Sequence, residues 1–217
     1  MGLFITTLFE NPFMYFAWVG MVAFSICFHE YAHAQMLYRL GDDTAAREGH
    51  LSLNPMVQMG PVSLVLLLLI GIAWGAVPVN TRHLRTRGAV AMGSFAGPAA
   101  NLLLCLIFGA VTTALMRWGG ESPAAMLAGR LFGVGTAANG VLFVFNMLPV
   151  PMLDGWSVFT LFFPSWGNLS PQQVQNYSLI FMAAIFLTPV GSWIWMLGSL
   201  LAQLVMRGWG QLFRLFF

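Results

Sequence analysis

The sequence predicts an all-α polytopic membrane protein, with four to six membrane segments and short β-strand or re-entrant elements. Of its 217 residues, 59% are hydrophobic and only 7% are charged, whereas a typical soluble domain has about 25% charged residues. Long apolar runs recur along the chain, and a helix that crosses a bilayer needs roughly 20 such residues. Composition and run length together exclude an ordinary soluble protein.

Five apolar runs account for the predicted membrane segments. They are Phe13 to Tyr38, Pro61 to Val79, Gly88 to Met116, Leu131 to Phe163 and Tyr177 to Met206. The second run is short, and Pro149 and Pro151 interrupt the fourth. No polar stretch between the runs is long enough to fold alone, so we interpret residues 1–217 as a single membrane domain.

Two short segments beside the second run have the character of strands. Residues 51–53, at the end of a polar connection, alternate between apolar and polar side chains, and residues 77–79 form a second candidate extended piece. Alternation of this kind favours a strand over a helix.

Charge and cysteine content narrow the possible partners. All nine basic residues are Arg, and the net charge is only +2, which does not suggest binding to nucleic acid. The lipid bilayer is the expected partner. Cys27 and Cys105 both lie in apolar runs and are not placed as a disulfide, so they indicate no redox compartment. The sequence does not indicate which oligomeric state the protein adopts.

Ionisable residues inside the apolar runs are few. The first run contains Glu30, with His29 before it and His33 after it, and the fourth contains Asp154. A charge in a membrane span costs about 2.5–3.5 kcal/mol on insertion scales. No Arg within a run is available to neutralise the two acids, whereas a bound divalent cation would neutralise them directly.

The segment from His29 to His33 has the pattern H-E-x-x-H. On a helix, residues four apart share a face, so both imidazoles can reach one zinc ion, and the intervening Glu30 can take a proton from water. A catalytic zinc site needs three protein ligands and an open position. Asp154 is the favoured third ligand. His50 and His83 are weaker candidates because both lie in polar connections beside Arg, where a solvated histidine is ordinary.

With these residues identified, the chain resembles the site-2 protease family of intramembrane zinc metallopeptidases. Residues 28–34 carry the H-E-x-x-H motif, residues 96–101 are similar to the family's G-P-x-x-N, and residues 146–155 are similar to its N-x-L-P-x-x-x-L-D-G. The order and spacing resemble the short prokaryote-type branch, which has no PDZ or CBS domain. Gln58, Gly60 and Trp156 depart from that branch, which often has His, Asp and Gly at these places.

The resemblance implies a zinc-dependent endopeptidase that hydrolyses peptide bonds within or near the transmembrane segments of membrane-protein substrates. It implies His29, His33 and Asp154 as zinc ligands and Glu30 as the catalytic base. It also implies a multi-pass protein of the prokaryotic cell (inner) membrane, with its active site towards the cytoplasmic half.

The resemblance further implies that Asn101 and Asn146 hold the substrate backbone or polarise its carbonyl. For both asparagines, and for Asn101 above all, there is a simpler alternative, since an asparagine in a span can hydrogen-bond to a neighbouring helix. An alternative function is a metal-binding transporter or sensor without protease activity. The second, third and fifth runs contain no charged residue, which disfavours an ion path.

The depth of the three predicted ligands in the membrane indicates whether the second run crosses the membrane or re-enters it. With five full crossings, the histidine pair and Asp154 would lie in opposite leaflets, roughly 10 Å apart for a ~30 Å core and ~1.5 Å per residue. One metal ion cannot bridge that distance. If residues 61–79 enter the membrane and return to the same side, the ligands reach one depth, so we favour a re-entrant segment.

Overall fold

The computed structural model describes residues 3–84 and 86–216, and its regular structure is helical throughout. In chain order its α-helices are α1 (Thr7–Glu10), α2 (Pro12–Arg39), α3 (Thr44–Arg47), α4 (Pro55–Gln58), α5 (Gly60–Ile70), α6 (Arg87–Trp118), α7 (Pro123–Asn146), α8 (Asp154–Phe162), α9 (Pro171–Leu187) and α10 (Val190–Phe216). Short 3-10 helices span Phe4–Thr6, Thr81–His83 and Pro164–Asn168.

Helix α2 corresponds to the first apolar run. The Asn11 side chain caps it by accepting a hydrogen bond from the Met14 amide at 3.2 Å, and Pro12 at the first position needs no amide partner there. The helix continues through 28 residues, and Gly41, with φ 101°, turns the chain away just beyond its end. The predicted helical run is confirmed.

Helices α2, α6 and α7 pack together as the central bundle. Among the described residues, these three helices are long and apolar enough to cross a membrane. Contacts from Leu37 to Gly93 and from Phe24 to Phe108 show that α6 runs antiparallel to α2. Contacts from Phe108 to Gly135 and from Leu115 to Gly129 show that α7 runs antiparallel to α6.

Helices α9 and α10 bring the candidate spans to four at most. They meet at 80° across a short break, and the pair passes the length and hydropathy test together. The described part of the chain therefore has three or four candidate spans, consistent with a multi-pass membrane protein. Five or six are not found, because the second run holds only an 11-residue helix and the fourth is divided after Asn146.

The second apolar run makes a short excursion along α2. Helix α5 ends at Gly71, whose φ is 75° and whose carbonyl accepts a hydrogen bond from Trp18 Nε1 at 2.9 Å, near the beginning of α2. The chain then continues without helix or strand to Asn80, whose amide donates to Asp42 at 2.8 Å, just beyond the end of α2. Residues 71–80 thus run back along α2 towards its C-terminal end.

Neither predicted strand is present in the part of the chain that the structure describes. Residues 51 and 52 form a bend and residue 53 is irregular, and the Gln58 side-chain amide donates to the carbonyls of His50 and Ser52. Residues 77–79 are irregular and have no strand partner. A strand exists only where a second backbone pairs with it, and alternation in one segment cannot supply that partner.

Candidate metal centre

Three side chains from two distant parts of the chain converge beside α6. His29 Nε2 and His33 Nε2 lie 2.9 Å apart, and Asp154 Oδ2 lies 3.1 Å from the first and 3.2 Å from the second. Both histidines are buried, with 6% and 8% exposure. The structure therefore brings together all three residues that the sequence predicted as ligands.

The turn between α7 and α8 positions Asp154. The two prolines at 149 and 151 prevent the helix from continuing, and Met152 adopts a positive φ of 78°, which is uncommon for a residue other than Gly. A Cβ on Gly155 would collide with the Met147 and Leu148 carbonyls, so Gly at this position lets α8 begin against the end of α7. Asp154 is therefore the first residue of α8, just beyond the break that the two prolines in the fourth run indicated.

Gly97 on α6 lies directly against the two imidazole rings. A Cβ there would overlap His33 Nε2 and lie 2.5 Å from His29 Nε2. Gly93, one turn earlier, similarly leaves room for Leu37. The α6 backbone can approach the two imidazoles only because these positions have no side chain.

The hydrogen bonds of the two Nδ1 atoms determine which ring nitrogen of each histidine carries the proton. His29 Nδ1 lies 2.6 Å from Asn101 Oδ1, and His33 Nδ1 lies 2.8 Å from the Gly93 carbonyl. Oxygens of this kind only accept, so both Nδ1 atoms carry a proton, and in the neutral imidazoles both Nε2 atoms then present lone pairs. Two lone pairs and a carboxylate oxygen facing one another at these distances form a site for a cation.

The donor set fits zinc. Two imidazoles and one carboxylate are ligands of catalytic zinc sites, which keep a fourth position open. Ligands bound at 2.0–2.1 Å to one tetrahedral ion lie about 3.3 Å apart, and the three atoms here are separated by 2.9–3.2 Å. These three residues, two buried and one half-buried, form a group that could hold a metal ion.

Glu30 faces the same cavity. It is 7% exposed and lines a cavity of about 330 Å³ together with the three converging side chains. The backbone of Gly75 covers its carboxylate so closely that a Cβ there would overlap the Glu30 side chain. Ser63 secures this covering segment, because its Oγ donates to the Trp74 carbonyl at 2.7 Å and accepts from the Trp74 amide at 2.9 Å.

The two predicted substrate asparagines occupy different environments. Asn146, the last residue of α7, is half-buried and lines the cavity. Asn101 is fully buried and hydrogen-bonds to His29, to Asn139 and to the Ser25 carbonyl. These contacts match the alternative in which Asn101 bonds to neighbouring helices.

The two competing histidines lie outside the cluster. His50 Nδ1 is 3.1 Å from the buried Gln58 side chain, so Gln58 is part of a loop anchor. His83 Nδ1 is 3.2 Å from Asp42, which also accepts from Thr44 and Asn80. Burial raises the pKa of Asp42, but these hydrogen bonds outweigh it and hold the pKa below its ordinary value.

Sequence reasoning missed Asn139 and Ser25, which are both fully buried behind Asn101. The available signal was weak: each is an uncharged polar residue within an apolar run.

Several curated proteins are similar to this chain. "Putative zinc metalloprotease YwhC" of Bacillus subtilis (strain 168) is 36% identical over 174 residues, which cover 78% of this chain and 80% of that protein. "Putative zinc metalloprotease Rip2" of Mycolicibacterium smegmatis is 32% identical over 176 residues, and the protein of that name in Mycobacterium tuberculosis (strain H37Rv) is 30% identical over 172 residues.

The match to the Rip2 proteins covers 76% of this chain and 64% of their length. No family model matches the chain, and no solved structure matches it. The extent of the YwhC match, together with the site described above, implies Zn²⁺ as the metal. The chain belongs to the family of zinc metalloproteases that includes YwhC and Rip2.

Proposed function

We propose that this protein is an intramembrane zinc endopeptidase of the site-2 type, which hydrolyses peptide bonds within or near the transmembrane segments of other membrane proteins. The observation that carries the proposal is the depth of the site. His29 lies ten residues before the end of α2, or about 15 Å at ~1.5 Å per residue. A protease acting on soluble chains has no need of a site sunk so far along an apolar helix.

In this proposal His29, His33 and Asp154 hold the metal and Glu30 is the catalytic base. Bound zinc supplies Lewis acidity that polarises the scissile carbonyl and lowers the pKa of water. Glu30 accepts the proton of the attacking water and then donates it to the nitrogen of the leaving amine. Burial of Glu30 beneath residue 75 keeps this proton within the cavity.

The irregular segment above Glu30 is suited to hold an unwound substrate. A peptide bond in a helix is shielded by its own hydrogen bonds, so the substrate must become extended before attack. Residues 75, 76, 77 and 79 line the cavity, as does Asn146, and they belong to a stretch without helix or strand. An extended substrate can pair with such a backbone, and the Asn146 side chain is available to hydrogen-bond to it in the same cavity.

The excursion along α2 supports a re-entrant arrangement of residues 60–80, which enters the membrane and returns to the side where α2 ends. The cavity lining includes Leu37, Val79 and Leu84, so it extends towards that side and gives water a route. We place this side in the cytoplasm, with the whole of 1–217 acting as one domain in the prokaryotic inner membrane.

Labelling from one side of the membrane tests this orientation. Cys27 and Cys105 are both buried, so a Glu48→Cys variant carries one exposed thiol. A membrane-impermeant maleimide should label it in inverted vesicles and not in intact cells. Labelling of intact cells would contradict the proposed orientation.

Glu30→Gln tests the function. The purified variant should retain zinc and lose cleavage of a single-span model substrate by at least about 10²-fold, the usual contribution of general acid–base catalysis. Glu48→Gln, which changes an exposed acid outside the cavity, is the matched control and should cleave normally. A zinc-loaded wild type that cuts no membrane-protein substrate would refute the protease function and favour a metal-binding protein. A Glu30→Gln form as active as the wild type would instead refute the role assigned to Glu30.

A further inference from the structure

A chain of fully buried polar side chains links the three central helices behind the metal centre. Its members are Ser25 on α2, Asn101 on α6 and Asn139 on α7, each with no solvent exposure. The proposed mechanism uses neither Ser25 nor Asn139. In an apolar bundle such groups are costly unless every hydrogen bond is made, so their arrangement calls for a physical reason.

Each hydrogen bond among these buried polar side chains can run in only one direction. Asn139 Nδ2 donates to the Gly135 carbonyl at 2.8 Å and to Ser25 Oγ at 2.8 Å. Ser25 Oγ cannot donate in return, because its own proton goes to the Met21 carbonyl at 2.6 Å. Two backbone carbonyls, which only accept, therefore fix which way the Asn139 amide points.

The orientation of Asn139 fixes that of Asn101. Asn139 Oδ1 faces Asn101 and accepts from its Nδ2 at 3.0 Å. Asn101 must then present its own Oδ1 to His29 Nδ1, at 2.6 Å. The ring proton of His29 is held on Nδ1, and the Nε2 lone pair is left facing His33 and Asp154.

We propose that Asn139, together with Ser25, is a positioning pair that sets the tautomer and ring orientation of His29 for metal binding. This inference rests on the proposed metal site and concerns zinc affinity, so it does not depend on which substrate is cut. Without Asn139, among the described residues only the long 3.4 Å hydrogen bond from Asn101 Nδ2 to the Ser25 carbonyl opposes turning of the Asn101 amide, which would present Nδ2 to His29 Nδ1. The proton would then move to Nε2, where it blocks the metal.

Zinc affinity of an Asn139→Leu variant tests the proposal. Competition with a chelator should show a 10–100-fold loss, the usual effect of removing the partner that orients a ligand. Nitrogen-15 NMR of histidine-labelled, zinc-free protein should show that one histidine has lost its Nδ1-protonated signature. Asn139→Asp, which as a neutral carboxyl still offers an acceptor to Asn101 and a donor to Ser25, should stay within about threefold of the wild type.

Thr136→Val is the matched control for a purely structural role. Thr136 is also fully buried on α7, one turn away, and among the described residues its hydroxyl bonds only to the Phe132 carbonyl of its own helix. This variant should keep wild-type zinc affinity and histidine signals. If Asn139→Leu fails to fold, Ser25→Ala removes one acceptor of the Asn139 amide and should give a smaller loss of affinity in the same direction.

Wild-type affinity and unchanged histidine signals in Asn139→Leu or, if that does not fold, in Ser25→Ala would overturn the proposal. Equal losses in the Asn139 variant and in Thr136→Val would do the same, because they would reflect general loosening of the bundle. Neither result affects the Glu30→Gln experiment. Conversely, if the protein proved to have no protease activity, the Asn139 variant could still lose zinc affinity, so the two experiments are independent.

Discussion

The close approach of α6 to the two histidines makes Gly97→Ala the most direct test of the metal centre. The added methyl carbon would lie 2.5 Å from His29 Nε2 and 2.6 Å from its Cε1, whereas such atoms are best separated by about 3.5–4.0 Å. The ring must therefore move by about 1 Å. It cannot swing away freely, because Asn101 holds its other nitrogen at 2.6 Å.

A displacement of this size is large for a metal ligand, since zinc bond lengths tolerate only about ±0.2 Å. We expect the zinc affinity of Gly97→Ala, measured by chelator competition, to fall by about 100-fold or more, with substrate cleavage falling in parallel. Gly20→Ala is the control, because nothing lies within 4 Å of a Cβ there and the change should stabilise α2 by up to ~1 kcal/mol. Wild-type zinc affinity in Gly97→Ala would refute this account of the site.

The remaining predictions concern the cavity wall, a loop and the bundle. Ser63→Ala leaves two Trp74 backbone groups unpaired, which costs about 1–3 kcal/mol each. Substrate cleavage should therefore fall more than zinc affinity, whereas equal falls would contradict the role of Ser63 in securing the segment that covers Glu30. Asp42 has a lowered pKa in the folded protein. Its stabilising contribution is therefore full above the ordinary value of 3.8 and is lost as the pH falls through the lower pKa of the folded state. Thermal unfolding of Asp42→Asn should depend less on acid pH than that of the wild type. Gly140→Ala places a methyl group against the α10 backbone and should lower stability by about 1–3 kcal/mol, whereas Gly208→Ala, with open space around it, should not; denaturation midpoints in detergent decide this.

The part of the site that a single helix specifies could be predicted from the sequence. The spacing of His29 and His33 fixes their common face, since α2 is uninterrupted around them. The approach of Asp154 to the two histidines could also be predicted, because a lone carboxylate in an apolar run needs a partner. Its exact setting could not, because hydropathy does not mark where α7 ends, although the prolines at 149 and 151 indicated a break.

The contacts between helices could not be predicted in the same way. Whether Asn101 faces the cavity or the interior depends on how α6 is rotated against α2 and α7, and no periodicity in one segment fixes that rotation. The same limit applies to Asn139 and to Gly97, whose significance comes from side chains on α2. The strands predicted at 51–53 and 77–79 depended on local alternation alone, and pairing is a property of two segments.

The backbone that passes over Glu30 gives the cavity one closed face and one open one. A bulky zinc-chelating inhibitor cannot approach from the side of Gly75, whose backbone lies against Glu30, so its chelating group has to arrive through the part of the cavity that residues 76, 77, 79 and 146 line. Compounds that carry the chelator at the tip of a slender, extended chain should therefore inhibit better than compounds that carry it at the centre of a rigid scaffold. The shape of the entrance, more than the strength of the chelator, would govern selectivity.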